Sequence, residues 1–262
     1  MNDWLHASPS AFGGKKVFRL GLATNYGIDE DGVRAAIDRG VNFFLWTSRG
    51  DKGLRAPLRG ALGERREDVV VAGFATLGYF GWTVRRAADK LLRALGTDYL
   101  DVLLLGWVGV GSALTDATQE ELVKLRETGK VRAIGCSIHD RARAGKLAAD
   151  SPLDLLMIRY NAAHPGAERD IFPHKRDKTP SILAYTATDW RKLLKKPSGW
   201  DGPVMTGPDC YRFQLSSPHV DLALTGPKTR AELEENLDGL AKGPLEPAEA
   251  EWMRAFGRVV HG

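Results

Sequence analysis

Short apolar runs alternate with amphipathic stretches from residue 19 to residue 240. The apolar runs cover residues 19–24, 42–47, 69–74, 102–105, 132–137, 155–160, 181–185 and 221–225, each short enough for a strand and uninterrupted enough to be buried on both faces. Between them lie helical patterns at 29–39, 54–62, 83–95, 119–127, 141–149 and 229–240. In the first, Val33, Ala36 and Ile37 share one face and Gly40 supplies the stop; Thr83 caps the third and Gly96 ends it; Gly129 follows the fourth. Eight strands alternating with helices at this length predict an α/β fold, a closed parallel (β/α)8 barrel of the TIM type with its helices outside. An open doubly wound sheet is the competing architecture, but no Gly-x-Gly-x-x-Gly follows the first strand.

Two segments interrupt the rhythm. Residues 1–18 precede the first strand, and 12–17 read as a β-hairpin able to plug the barrel floor. Residues 186–218, rich in Gly, Pro and Trp, predict a long loop with a short helix before the eighth strand, at the mouth where barrel chemistry sits. No linker divides the chain, so residues 1–262 are expected to form one domain.

Composition narrows the function classes. The 37 basic and 33 acidic residues leave a net charge of +4, dispersed without a Lys/Arg block, which favours small anionic molecules over nucleic acid. Arg191 to Lys196 is a small basic run that solvent exposure explains. The longest uncharged stretches, 69–82 and 102–115, fall short of the roughly 20 apolar residues a membrane span needs. Residues 1–4 do not begin a secretory signal. Two cysteines, Cys136 and Cys210, fit a reducing, cytoplasmic setting. His6, His139, His164, His174, His219 and His261 are scattered, so no metal set is expected.

Several segments carry a family resemblance. These are residues 40–44, 66–72, 95–105, 129–137, 159–161, 183–186, 226–229 and 233–236, in order and at matching spacings. Over about residues 12–240 the chain resembles the aldo-keto reductases, whose usual members reduce carbonyls with NADPH. In them a tyrosine gives the proton, a lysine paired with an aspartate lowers that tyrosine's pKa, and a histidine orients the substrate. Carried over position by position, the resemblance puts Leu45 at the aspartate, Phe74 at the lysine and Gly106 at the histidine. Arg49 is the best match for the tyrosine, within a segment shortened by one residue. Losing one partner of a buried Asp–Lys pair would strand a charge at a cost of about 3–5 kcal/mol. Here both positions are apolar. Carbonyl reduction by the family's usual route is therefore not expected.

The resemblance implies more for the cofactor. Ser137 matches a contact to the nicotinamide carboxamide, and Tyr185 matches the ring that stacks on the nicotinamide. Glu235 and Asn236 match the adenine-reading pair, and Gly226 with Lys228 matches the 2′-phosphate segment. Ile138, Met157 and Glu232 depart from the family pattern, which predicts NADP(H) binding weakened at the nicotinamide end.

Other residues near the strand ends could carry chemistry in place of the missing set. If Met157 faces the barrel axis, so does Arg159. With Arg49, His139 and His164 it would make a basic mouth suited to a carboxylate, phosphate or enolate. Tyr79 and Tyr160 are the phenols available as proton donors. The plainer readings are arginines paired with carboxylates, capping or surface histidines, structural tyrosines and an inert packed Cys136. Three functions follow. The leading one is an NADP(H)-binding oxidoreductase acting on a small molecule that needs no Tyr/Lys donor, such as an iminium or activated alkene. The others are a cofactor-independent lyase, isomerase or cyclase, and a catalytically inactive cofactor-sensing protein. A monomer or small homo-oligomer is expected.

Overall fold

The computed structural model describes residues 3–47, 55–175 and 180–261. Two short strands, β1 (His6–Ala7) and β2 (Val17–Phe18), pair antiparallel. They flank a helical turn at Ser10–Phe12 that ends on Gly13 in the left-handed region, so an N-terminal hairpin is present but spans residues 6–18, and the expected 12–17 segment is mostly its connection, reaching the second strand at Val17. Eight parallel strands then close a barrel: β3 (Leu20–Ala23), β4 (Phe43–Thr47), β5 (Val70–Ala75), β6 (Leu100–Val108), β7 (Val131–Ile138), β8 (Leu155–Arg159), β9 (Ser181–Tyr185) and β10 (Leu222–Thr225), with β10 hydrogen-bonded to β3.

Period-two alternation splits these strands between two cores. Phe43, Leu45, Val70, Ala72, Phe74, Val102, Leu104, Ala133, Leu155, Met157, Leu183, Leu222 and Leu224 pack inside the barrel, closed below by Ala11, Phe12 and Val17. Their neighbours, among them Phe44, Trp46, Val71, Leu103 and Ile134, form the larger core under the helices. Both faces are dry, which is why these strands read as continuous apolar runs.

The helices are α1 (Glu30–Asp38), α2 (Arg55–Glu64), α3 (Gly81–Leu95), α4 (Asp116–Glu127), α5 (Arg141–Ala149), α6 (Ala167–Asp170), α7 (Gly207–Leu215), α8 (Arg230–Leu240) and α9 (Pro247–His261). Thr83 sits inside α3, not before it; its hydroxyl oxygen accepts from the Phe80 backbone N–H. The loop at 186–218 carries the nine-residue α7, opened by a capping box between Thr206 and Asp209. α6 and α9 were not anticipated from the apolar pattern. Among the described residues no helix is long and apolar enough to cross a membrane, and no group of three or more His, Cys, Asp or Glu is placed to hold a metal ion.

Candidate active site at the barrel mouth

A cavity of about 660 Å³ opens at the C-terminal ends of the strands, within the range of small-molecule sites. Inward residues of the barrel, Ala23, Leu45, Met157 and Leu224, make its apolar floor. Trp107 walls one side. Tyr185 and His139 stand above the floor, and Gly226, Lys228, Glu232, Glu235 and Asn236 line the side formed by the β10–α8 turn.

That turn is built for a negatively charged group. Thr229 caps α8 by accepting from the Glu232 N–H, and Lys228 and Gly226 precede it at the positive end of the helix dipole. Gly226 is required there, because a Cβ would meet the Tyr26 ring at 2.5 Å. Glu232 partly answers the positive charge. It accepts from the Lys228 N–H at 2.8 Å and from the Arg191 guanidinium at 3.1 Å, and these bonds hold its carboxyl below the usual range. Asn236 is buried; its Nδ2 donates to Thr225 Oγ1, which donates to Tyr211 Oη. The N-terminus of α7, at Thr206 and Gly207, closes this side of the cavity.

On the opposite side, Tyr185 Oη lies 2.8 Å from His139 Nε2, with the two rings nearly perpendicular. Burial pushes the Tyr185 phenol up to about 12, and burial together with Arg159 pushes His139 below the ordinary imidazole value. Ser137 is buried nearby and acts on the Tyr185 phenol, although its Oγ has no partner within hydrogen-bond limits. Arg159, partly buried, does not line the cavity but its charge reaches His139, His164 and Tyr185. His164 Nε2 sits 3.2 Å from Asp189 Oδ1, and burial lowers its pKa.

Two candidate phenols are not brought to the cavity. Tyr79 is on the outer surface of the third loop and donates to the Val110 carbonyl at 2.6 Å. Tyr160 points to the helix side of the barrel, between Phe172 and Phe213, and donates to Glu168 Oε1 at 2.7 Å. Arg49 lies outside the described residues. Cys136 is buried, with its thiol pushed up to about 12, and so is inert.

Sequence reasoning did not single out Tyr26, Thr206 or Tyr211, and read Arg191 only as part of a solvent-exposed basic run. Thr206 to Asp209 carried a readable signal, a threonine three residues before an acid with Pro208 between. Arg191 gave none, because it reaches the cavity through a turn in which Thr186, Asp189, Trp190 and Arg191 all take positive φ.

The sequence profile described as "Aldo/keto reductase family" matches residues 78–196. Over those residues the chain is similar to the aldo/keto reductase family. Among curated relatives, aldo-keto reductase YhdN of Bacillus subtilis (strain 168) is 26% identical over 165 residues, which cover 58% of this chain and 50% of that protein. The NADH-specific methylglyoxal reductase of Escherichia coli (strain K12) is 26% identical over 106 residues, 40% of this chain and 32% of that one. The chain thus spans half or less of the length of these curated relatives. Among solved structures, an aldo-keto reductase from Klebsiella pneumoniae in complex with NADPH superposes with a TM-score of 0.78 at 21% identity, covering 97% of this chain and 95% of the other.

The three positions that the family resemblance singled out, Leu45, Phe74 and Gly106, all fall on inward-facing sites of the barrel strands. Leu45 and Phe74 point inward and are buried. Gly106 lies on β6 beneath the Phe74 ring, which also meets Trp107 edge-on at 5.5 Å. Ser112 Oγ donates to the Gly106 carbonyl and fixes the strand end.

Proposed function

We propose that this chain is an aldo/keto-reductase-like, NADP(H)-binding oxidoreductase whose proton chemistry does not use the family's Asp–Tyr–Lys–His set. The observation that carries the reading is the cavity itself. Tyr185 and the apolar floor share one volume with Gly226, Lys228, Glu235 and Asn236. A dinucleotide asks for that combination: a flat apolar berth for one ring, and cations with helix N-termini for phosphate. The cradle at Gly226, which a Cβ would fill, supports the fit.

When bound, the cofactor supplies a hydride at its nicotinamide end. The chain's own residues do the rest. Lys228 and Arg191 offer charge to a 2′-phosphate, which favours NADP(H) over NAD(H), and Asn236 with Glu235 reads the adenine side. Tyr185 offers its ring as the stacking face. Leu45, Met157 and Leu224 keep water from the floor. The substrate is a small molecule that sits above that floor, beside Trp107. With Leu45 and Phe74 at the positions of the ion pair, no buried ammonium among the described residues is placed to acidify a phenol at the family's position.

Thermal unfolding with added nucleotide tests the reading. NADPH at about 100 times its dissociation constant stabilises a binder by about 2.7 kcal/mol. The expected result is a rise in Tm with NADPH, a smaller one with NADH, and loss of both preference and rise in the Lys228→Ala, Asn236→Ala double variant. No rise with either nucleotide would remove the proposal.

A further inference from the structure

Six non-glycine residues take positive φ among the described residues, and four of them sit on the turn that leaves β9: Thr186, Asp189, Trp190 and Arg191. Each enters the left-handed region at a steric cost that only surrounding contacts can hold in place. What the turn achieves is placement. Trp190 and Arg191 line the cavity, and Arg191 reaches Glu232 Oε1 at 3.1 Å, beside Lys228.

The contacts that hold the turn come from the exit of β8. Buried Asn161 donates from Nδ2 to the Thr186 carbonyl at 2.6 Å, and its Oδ1 accepts the His164 N–H at 2.8 Å. His164 is thereby set with its Nε2 3.2 Å from Asp189 Oδ1. Asp189 is 2% exposed, and its Oδ1 has no hydrogen bond of good angle among the described residues. A carboxylate buried in that state needs charge beside it. Lys192, mostly in solvent, brings its ammonium to the other oxygen at 3.4 Å. His164 is the partner on the inner side.

We infer that His164 and Asp189 are a positioning pair: they hold the left-handed turn so that Arg191 meets the 2′-phosphate of NADP(H), and through Arg191 they set the choice between the phosphorylated and the unphosphorylated dinucleotide. Neither His164 nor Asp189 is among the residues that line the cavity, so both act through Arg191. The role rests on the nucleotide reading proposed above; the contact between the two side chains does not.

The groups facing His164 are Arg159 from β8, Asp189 from the β9 turn and His261 from the end of α9, whose ring meets it edge-on at 4.7 Å. Burial first, then Arg159, lowers its pKa, while Asp189 acts to raise it. With the ring neutral, Asp189 favours the tautomer that keeps the proton on Nε2, facing the carboxylate. A proton on the second nitrogen completes the ion pair.

Dissociation constants for NADPH and NADH, measured by fluorescence titration of the folded variants, test the role. Arg191→Ala is expected to weaken NADPH binding about tenfold, the loss of one charge-assisted contact to phosphate. His164→Ala strands the Asp189 carboxylate and frees the turn, so it should give most of that loss while moving the NADH constant by less than about twofold. The His164→Ala, Arg191→Ala double variant should bind NADPH no more weakly than Arg191→Ala alone, because both changes act through one side chain. Asp189→Asn is the gentler variant. Asparagine is tolerated in the left-handed region, so the charge goes and no new backbone strain arrives; NADPH binding should weaken in the same direction. In 15N-histidine spectra of the nucleotide-free protein, the His164 imidazole, assigned by its loss in His164→Ala, should ionise at lower pH in Asp189→Asn than in the parent.

An equal loss for NADPH and NADH, or losses that add in the double variant, would reduce the pair to a fold contact and overturn the proposal. NADPH binding that matches the parent's in both His164→Ala and Asp189→Asn overturns it as well. A His164 titration unchanged in Asp189→Asn denies the pair itself. A parent that binds neither nucleotide removes the cavity reading and this role with it. A parent that binds both equally leaves the cavity a nucleotide site and removes only the role of the pair.

Discussion

The Phe74 ring lies against Gly106 in the space that any side chain at position 106 would have to enter. Phe74 pairs in register with Leu104 of the neighbouring strand β6, and its ring can turn over β6 two residues further on because Gly106 has no Cβ. The family resemblance puts a lysine and a histidine at these two sites; here a phenylalanine ring and a glycine share one volume.

That coupling has a measurable consequence. Gly106→Ala should cost about 1–3 kcal/mol, as overpacked cores do, and Phe74→Ala about 3–5 kcal/mol. The double variant should be no less stable than Phe74→Ala alone, because the vacated ring volume receives the new methyl. Urea unfolding of the four proteins gives the interaction energy directly. Additive costs would mean the ring does not occupy the Gly106 site.

The Arg191–Glu232 pair spans the side of the cavity where phosphate is expected. Glu232 puts a carboxylate beside Lys228, so it opposes an incoming anion while it steadies the turn. Glu232→Gln should tighten NADPH binding by a few-fold, a change of about 1 kcal/mol for an exposed pair, and should affect NADH less. Fluorescence titration at two salt concentrations checks both, since the NADPH gain should shrink as salt rises. Weaker NADPH binding would show that the carboxylate's structural role dominates.

Much of this architecture could be read from the chain because the strands are buried on both sides. Residues 69–74 are apolar at every position, Val70, Ala72 and Phe74 facing the axis and Val71 the helices, and the shortness and valine content of the run mark it as a strand. The face of Tyr160 was also legible: if Met157 and Arg159 point inward, parity sends residue 160 outward, where it meets Phe172. α9 could have been found from the spacing of Trp252, Met253, Phe256 and Val260. The Tyr185–His139 contact could not, because its residues are 46 apart and meet only through the stagger of three strands. Nor could Arg191, whose position depends on consecutive left-handed residues that are not glycine.

At the opposite end of the barrel, Asp101 is buried and holds three donors: Lys15 Nζ at 2.9 Å, an Arg66 nitrogen at 3.0 Å and the Val71 N–H at 2.9 Å. It ties the N-terminal plug to the floor of β5 and β6. Asp101→Asn removes the charge and leaves Lys15 and Arg66 facing each other, at an expected cost of about 3 kcal/mol for a mostly buried set. In this fold the floor serves stability, so NADPH affinity measured on the folded variant should be unchanged. A large loss of affinity at full stability would place this network in the cavity's function.

Acid stability should report on the docking of α9. Arg212, almost fully buried on α7, donates to both oxygens of Glu249 at 2.7 and 2.8 Å and to the carbonyls of Gly243 and Pro244. The guanidinium, followed by the Glu246 N–H, holds the Glu249 carboxyl down to about 2, against an ordinary 4.5. A carboxyl whose pKa is lower in the folded chain stabilises fully above its unfolded value and loses that contribution as pH falls through the folded one. The Glu249 contribution should therefore be intact at neutral pH and decline between about pH 4.5 and pH 2. Its side chain is more than a third exposed, so screening limits the contribution to about 1 kcal/mol. Glu249→Gln should unfold more easily than the parent at pH 7, and the gap between them should close as pH falls through that window. A gap that stays constant to pH 2 would mean that Arg212 is held by the two carbonyls and that the carboxylate adds nothing to the seat of α9.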